Sequence, residues 1–469
     1  MRILILLPLA SYLRHFDSVV LMLADRGHDI TIATPATAKD WPLPDALASH
    51  VRIVQRTCPS GRSDDWNEAA TDLRRLGDYL RYLEEPFADA PRLRARAFKE
   101  LLEGVSRHTK RPAARCGSCN TRVSEDDLSG MFRVLGGNGV ASLRRLFALT
   151  EAAVPSDPER ERYLAGERPD VVLVTPLVGF NSDQADWVKS ARALRIPVGV
   201  PVFSWDNLTT KGRVHVQPDR VFVWNEIQKR EAMDLHGIPA EAIDVTGATR
   251  FDAFIDLAPA ADRGRFCAKI GLDPAAPIIT YLCSSDFVAR HEVEFIDRWI
   301  REIRTDPALA PCSVIVRPHP RGLRQWEDVD AGRWERTAIT RPHHLNADRW
   351  LYNTLSHSAA VVGLNTSAQI EAAILGTPVF TLLAPGFESG QQGTLHFRYL
   401  LADEGGCVDV ARDFAEHRRQ LADAVAGRRD AQRIREFAER FVRPQGWTQP
   451  STPVLAAAIE RLGRAESRG

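Results

Sequence analysis

The sequence carries no excess of either charge: Lys plus Arg and Asp plus Glu each number 61 over 469 residues, a formal net charge of zero. A nucleic-acid partner would call for a basic surplus and is excluded as the expected ligand. Local basic clusters, sufficient for small phosphorylated ligands, are not excluded. A cysteine framework is also lacking, since the seven cysteines are scattered rather than paired. That usage fits a reducing compartment, and a cytoplasmic protein is expected. Long apolar runs are missing too. The opening MRILILLPLA is short, has one Arg before its apolar run and turns polar from Ser11. It reads as a buried first strand rather than a targeting segment. No stretch reaches the length that spans a bilayer, so a soluble protein is expected, with peripheral membrane contact left open. Metal frameworks are equally thin. Cys116 and Cys119 make a single CxxC, and only scattered His108 and Cys58 are on hand to complete it, so no metal is expected.

What is present is an ordinary globular composition, 44% hydrophobic and 26% charged, on a chain long enough for two or three domains. Residues 3–7 (ILILL) are continuously apolar, 16–24 repeat apolar positions at helical spacing up to Gly27, and 29–33 (DITIA) form the next strand. Short apolar strands separated by an amphipathic helix predict a parallel βαβ unit. Residues 58–158 break the rhythm with helical runs at 71–83 and 92–102 and a polar, Gly-rich stretch at 109–138, expected as a mobile loop. They are read as a helical insertion. Strands resume at 170–175, 198–203, 220–224 and 242–246, and again at 278–283, 313–317, 359–363 and 379–382. The expected organisation is α/β: two doubly wound, Rossmann-like domains, 1–250 and 251–445, facing across a cleft, then a helical tail at 446–469. Ligands of such sheets bind beyond the carboxyl ends of the strands.

Four segments carry candidate chemistry. In 363–378, GLNTSAQIEAAILGTP, Thr366 and Gln369 have the spacing of a capping box after a buried strand. The helix start, with Asn365 and the hydroxyls of Thr366 and Ser367, could hold a phosphate, and Glu371 could accept from ribose hydroxyls. An ordinary capped helix explains the same pattern. In 317–321, RPHPR, two prolines fix the backbone past a strand, and Arg317, His319 and Arg321 offer donors to a pyrophosphate. In 203–212, FSWDNLTTKG, Asp206 is a candidate general base, with Trp205, Asn207 and Lys211 on the acceptor side; a local Asx turn is the plainer alternative. His15 is a second candidate base, or merely a helix-start residue. In 393–401, GTLHFRYLL, His396 is either a donor contact or packing beside Phe397 and Leu400.

With these residues in view, the chain resembles the GT-B superfamily, in particular the group of CDP-glycerol glycerophosphotransferases and UDP-N-acetylglucosamine 2-epimerases. LADRGHDITIAT (23–34), VTGATRFDAF (245–254), RPHP and NTSAQIEAAILGTPVF carry the likeness. The resemblance implies a metal-independent glycosyltransferase of surface polysaccharide or glycoconjugate biosynthesis, the alternatives being a CDP-glycerol-type polyol-phosphate transferase or a non-catalytic GT-B scaffold. It would take a nucleotide-activated sugar as substrate, need no cofactor, and act on a hydroxyl acceptor. Thr366 and Ser367 would hold donor phosphate, Glu371 the ribose, and Arg317 and His319 the departing nucleotide. SWDNLTTKG is similar to the glycerophosphotransferase segment Trp-His-Gly-Thr-Pro-Leu-Lys, with Asp206 where that segment has its histidine base. The epimerases' Gln-Glu-Glu-Ala reads Gln-Ile-Glu-Ala at 369–372, which points away from epimerisation.

Overall fold

The computed structural model describes residues 1–38, 42–109, 124–180, 182–341 and 347–465, apart from the side chains of 105–109 and 465. The chain divides into two compact units, Met1–Arg250 with Phe441–Gly469, and Phe251–Arg440.

The first unit is built on a seven-stranded parallel sheet: β1 Arg2–Leu6, β2 Asp29–Pro35, β3 Ile53–Cys58, β4 Val171–Val174, β5 Val198–Pro201, β6 Arg220–Val223 and β7 Ile243–Val245. Their order is β3-β2-β1-β4-β5-β6-β7, so the winding reverses between β1 and β4. β4 (VVLV) and β5 (VGVP) are buried at every position, as strands covered on both faces must be. The C-terminal residues do not stand apart as a tail. Leu455, Ile459 and Leu462 of helix Ser451–Ala465 join the same apolar cluster as Ile3, Ile5, Val20 and Leu23. Glu460 seals the contact through His28 at 2.9 Å and Arg26 at 3.3 Å. Gly247 sits where the chain leaves this unit, at φ +84°; an added Cβ there would lie 2.1 Å from Ser451 Oγ. Only glycine satisfies both the left-handed backbone and the close approach.

The insertion is helical: Trp66–Arg81, Pro91–Thr109, Glu125–Val134 and Gly136–Ala153. The expected loop at 109–138 is corrected in part, since most of its second half is helix. Ser124 Oγ accepts from Asp127 N–H at 3.1 Å and Asp127 Oδ2 accepts from Ser124 N–H at 2.9 Å, a reciprocal cap that starts a helix in a polar, Gly-rich stretch. Cys116 and Cys119 lie outside the described residues, as does the side chain of His108. The Cys58 thiol is buried at the end of β3, and that burial pushes it up to about 12, unsuited to ligating a metal. A buried ionic cluster fastens the insertion to the sheet's own helices. Asp186 accepts from Arg62 at 3.0 Å and from Arg74 at 2.8 Å through each oxygen, with Arg160 at 3.4 Å. Arg74 also binds Glu151 at 2.8 Å.

The second unit is a six-stranded parallel sheet: β8 Ile278–Leu282, β9 Ser313–Arg317, β10 Thr337–Ile339, β11 Ala360–Gly363, β12 Val379–Leu382 and β13 Val408–Ala411, in the order β10-β9-β8-β11-β12-β13. Its reversal lies between β8 and β11. Helix Glu292–Arg304 lays Ile296, Trp299, Ile300 and Ile303 on the sheet, the i, i+3, i+4, i+7 spacing of one buried stripe. Among the described residues no helix is long and apolar enough to cross a membrane.

Candidate functional site

In the second unit, the loops leaving β8, β11 and β12 are bonded into one frame at the reversal point. Glu292 accepts the Ser284 N–H with both oxygens, at 3.0 and 2.9 Å, and the Tyr281 hydroxyl at 3.3 Å. Asn365 N–H donates to Ser284 Oγ at 3.3 Å, and Asn365 Nδ2 to Gly390 O at 2.7 Å. Gln391 Nε2 donates to Leu382 O at 3.0 Å and to Leu364 O at 3.3 Å. Asn365 therefore spends its amide on the frame. Thr366 and Gln369 form half of the expected capping box: Gln369 Oε1 accepts the Thr366 N–H at 3.1 Å, while the helix Ala368–Ile374 has no side-chain cap. The hydroxyls of Thr366 and Ser367 are thus left out of capping, Thr366 buried and Ser367 exposed. Glu371 is buried one turn on.

Arg317 ends β9 and is only 9% exposed, yet its guanidinium hydrogen-bonds to none of the described residues, and Nη1 is shut away from solvent. Burial pushes its pKa down and the nearby carboxylates of Glu371 and Asp348 pull against that, so Arg317 and Glu371 share one electrostatic environment. A buried donor without an acceptor is costly and rare, and it marks a place where an acceptor can arrive. Beyond it, His319 Nδ1 accepts the Arg321 N–H at 3.0 Å, which puts the neutral ring's proton on Nε2. Arg321 is exposed. His396 is buried on the short helix Leu395–Arg398 beside fully buried Phe397.

The first unit gathers the other group. His15 follows the end of β1 and stacks on Phe203, beyond β5, with centroids 4.8 Å apart; Tyr12 stacks on the same ring at 4.7 Å. Thr249 donates to the His15 carbonyl at 2.9 Å, fixing the turn, and Arg14 Nε donates to its Nε2 at 3.4 Å. Asp206 begins the short helix Asn207–Thr210. Its Oδ1 accepts from Ser204 Oγ at 2.5 Å, its Oδ2 from Thr210 Oγ1 at 3.0 Å, and Lys211 Nζ stands 3.8 Å away. Asn207 Oδ1 takes the N–H groups of Phe203 and Ser204 at 3.3 and 3.2 Å. Trp205 is buried.

No family model matches the chain, and no curated protein matches its sequence. Solved structures do. A glycosyltransferase from Rickettsia africae is similar over 99% of each chain, at a TM-score of 0.52 and 11% identity. The fold is GT-B. A UDP-GlcNAc 2-epimerase from Methanocaldococcus jannaschii, covering 100% of each chain at 14% identity, reaches a TM-score of 0.47.

Two residues that sequence reasoning missed hold these GT-B loops in place. Glu292 is one, and burial raises it to about 8. Arg81, on insertion helix Trp66–Arg81, is the other. It is 1% exposed and donates to Lys211 O at 2.9 Å, to Gly212 O at 2.7 Å and to Leu208 O, with its guanidinium 4.8 Å from the Phe87 ring. Tyr82, just past the end of the same helix, donates its hydroxyl to Lys211 O at 2.6 Å, and Asp78 on the helix takes the Arg213 N–H at 2.7 Å. A Cβ on Gly212 would sit 2.6 Å from Asp78 Oδ2, so any larger residue there would have to displace that carboxylate. Arg81→Lys cannot reach all three carbonyls. It is expected to destabilise the first unit by about 1–3 kcal/mol, the penalty for an unsatisfied buried acceptor, measured by urea unfolding, with nucleotide affinity unchanged.

Proposed function

We propose that the chain is a glycosyltransferase that moves a sugar from a nucleoside-diphosphate donor to a hydroxyl acceptor. The observation that carries this reading is Arg317, a buried cation with an unused donor at the carboxyl end of β9, set in the same electrostatic environment as Glu371. A diphosphate supplies the acceptor Arg317 lacks, and ribose hydroxyls suit Glu371. The second unit is assigned the donor, with Arg317, His319 and the Thr366–Ser367 hydroxyls balancing charge on the departing diphosphate. The first unit is assigned the acceptor. Asp206 and His15 are the two groups assigned as proton acceptor: the Asp206 carboxylate accepts from the Ser204 and Thr210 hydroxyls with Lys211 Nζ 3.8 Å away, and His15 Nε2 accepts from Arg14. As the sugar–phosphate bond breaks and the sugar–acceptor bond forms, the acceptor's proton passes to the base and the diphosphate leaves. The charge balance uses protein cations, so the reading assigns no metal or cofactor.

The similar Rickettsia africae protein is a glycosyltransferase, which supports transfer over other chemistries of the fold. The Gln-Ile-Glu-Ala sequence at 369–372 favours transfer over epimerisation. Chromatography of the nucleotide released from a panel of sugar and polyol donors tests the reading. A nucleoside diphosphate is expected. Release of a monophosphate would replace the reading with a polyol-phosphate transferase, and interconversion of sugars without release would replace it with an epimerase.

A further inference from the structure

The strand beside Arg317 carries a second polar side chain that the fold leaves without a partner. β10 runs parallel to β9 with Ala338 opposite Ile315 and Ile339 opposite Val316, and the Thr340 N–H continues the ladder by donating to Val316 O at 2.9 Å. That register sets Thr340 beside Arg317, one strand spacing of about 4.8 Å away. Side chains alternate along each strand, so both belong to the face on which Ile315 and Ala338 pack with Phe266 and Cys267. Thr340 is 5% exposed, and its Oγ1, shut away from solvent, hydrogen-bonds to none of the described residues. Arg317 Nη1 is in the same condition.

Other buried threonines of this unit do satisfy their hydroxyls. Thr354, Thr377 and Thr381 each donate to a backbone carbonyl, at 2.9, 3.2 and 3.2 Å. Thr340 departs from that habit, and a buried hydroxyl left alone is costly. Two unused donors side by side, one of them a cation, call for one acceptor that both can reach. Glu371 and Asp348 act on Arg317 through charge alone and do not fill that place. A neutral carbonyl would leave the guanidinium charge unanswered. An oxyanion answers it, because its oxygens accept from several directions at once.

We propose that Thr340 is a second binding residue for the donor diphosphate, its hydroxyl and the Arg317 guanidinium closing on one phosphate group. The inference rests on the donor reading above and extends the diphosphate's contacts from β9 to the edge strand β10. Thr340 belongs to none of the motifs beyond the strands, and only the β9–β10 register brings it to Arg317.

Isothermal titration of the full chain tests it, with inorganic pyrophosphate and with the nucleoside diphosphate that raises the melting temperature most. Thr340→Val keeps the branched shape and removes the hydroxyl. It is expected to weaken both ligands by about tenfold, the worth of one hydrogen bond to a charged group. The ligand-free melting temperature should stay unchanged or rise, since an unpaired buried hydroxyl is gone. Thr340→Ser keeps the donor and should bind as wild type does. In an Arg317→Met background Thr340→Val should cost less than it does alone, because the two side chains share one phosphate group. Wild-type affinity in Thr340→Val, or a serine variant as weak as the valine one, overturns the inference and leaves the donor reading standing. So does a loss confined to the nucleoside diphosphate, which would put the hydroxyl on the nucleoside. A wild-type chain that binds neither ligand overturns the donor reading and this inference together.

Discussion

Arg317→Met is expected to weaken nucleoside-diphosphate binding by about 10- to 150-fold, because a hydrogen bond to a charged group contributes about 1.5–3 kcal/mol. The same change should leave unfolding stability unchanged or raise it. Arg317 is buried without a hydrogen bond among the described residues, and burial works against its charge. Methionine fills similar volume without that desolvation, so an apolar replacement removes a strain of the empty protein. A residue kept for packing or ion pairing would behave the opposite way, losing stability and sparing affinity. Isothermal titration with the best diphosphate, beside a thermal melt of the ligand-free variant, separates the two. Weaker binding with an unchanged or higher melting temperature supports the account; a lower melting temperature with wild-type affinity would contradict it.

Asp186→Ala carries the largest expected effect on stability, a loss of about 3–5 kcal/mol, the range for removing one partner of a buried ion pair. Asp186 is 1% exposed and its carboxylate answers Arg62, Arg74 and Arg160, so its removal strands several buried cations at once. Burial acts to raise its pKa, but the hydrogen bonds and charge of Arg74, with Arg160 and Arg62 behind, bring it below the ordinary 3.8. A depressed carboxyl stabilises the fold in full above its unfolded value and loses that effect as pH falls through the lower folded value. Urea unfolding followed by tryptophan fluorescence should show a deficit for the variant at pH 7 that narrows in acid. A deficit that does not depend on pH would mean the loss comes from packing rather than from charge.

How far the sequence reveals this molecule follows from burial. β1, β4, β8, β9, β11 and β12 lie inside parallel sheets, covered on both faces, and their apolar runs stand out. β3, β10 and β13, all edge strands, escape notice because none offers a long apolar run. β3 exposes Val54, Gln55, Arg56 and Thr57, β10 is three residues long, and β13 carries Asp409 paired with Arg433 at 2.8 Å. The RPHP and NTS motifs are legible because each is a local run beyond a strand. The tie between Asp206 and Ser204, Thr210 and Lys211 is local too, and the Asx-turn alternative already pointed that way. Arg81 and Glu292 are illegible for the converse reason. Arg81 follows Arg74 and Arg75 on one polar helix, and only the tertiary fold decides that it enters the core to bind carbonyls 130 residues away. Glu292 resembles any acid in a helix's first turn, as Glu294 does, until β8 brings the Ser284 N–H to it.

The central claim is that the second unit binds a nucleoside diphosphate. Thermal melts of the wild-type chain against UDP, GDP, TDP, CDP and their monophosphates test it most directly, since a ligand of the native state raises the melting temperature by mass action. The account predicts a clear rise with one diphosphate, larger than with its monophosphate and reduced in Arg317→Met. No rise with any diphosphate, or a rise that Arg317→Met leaves intact, would contradict it.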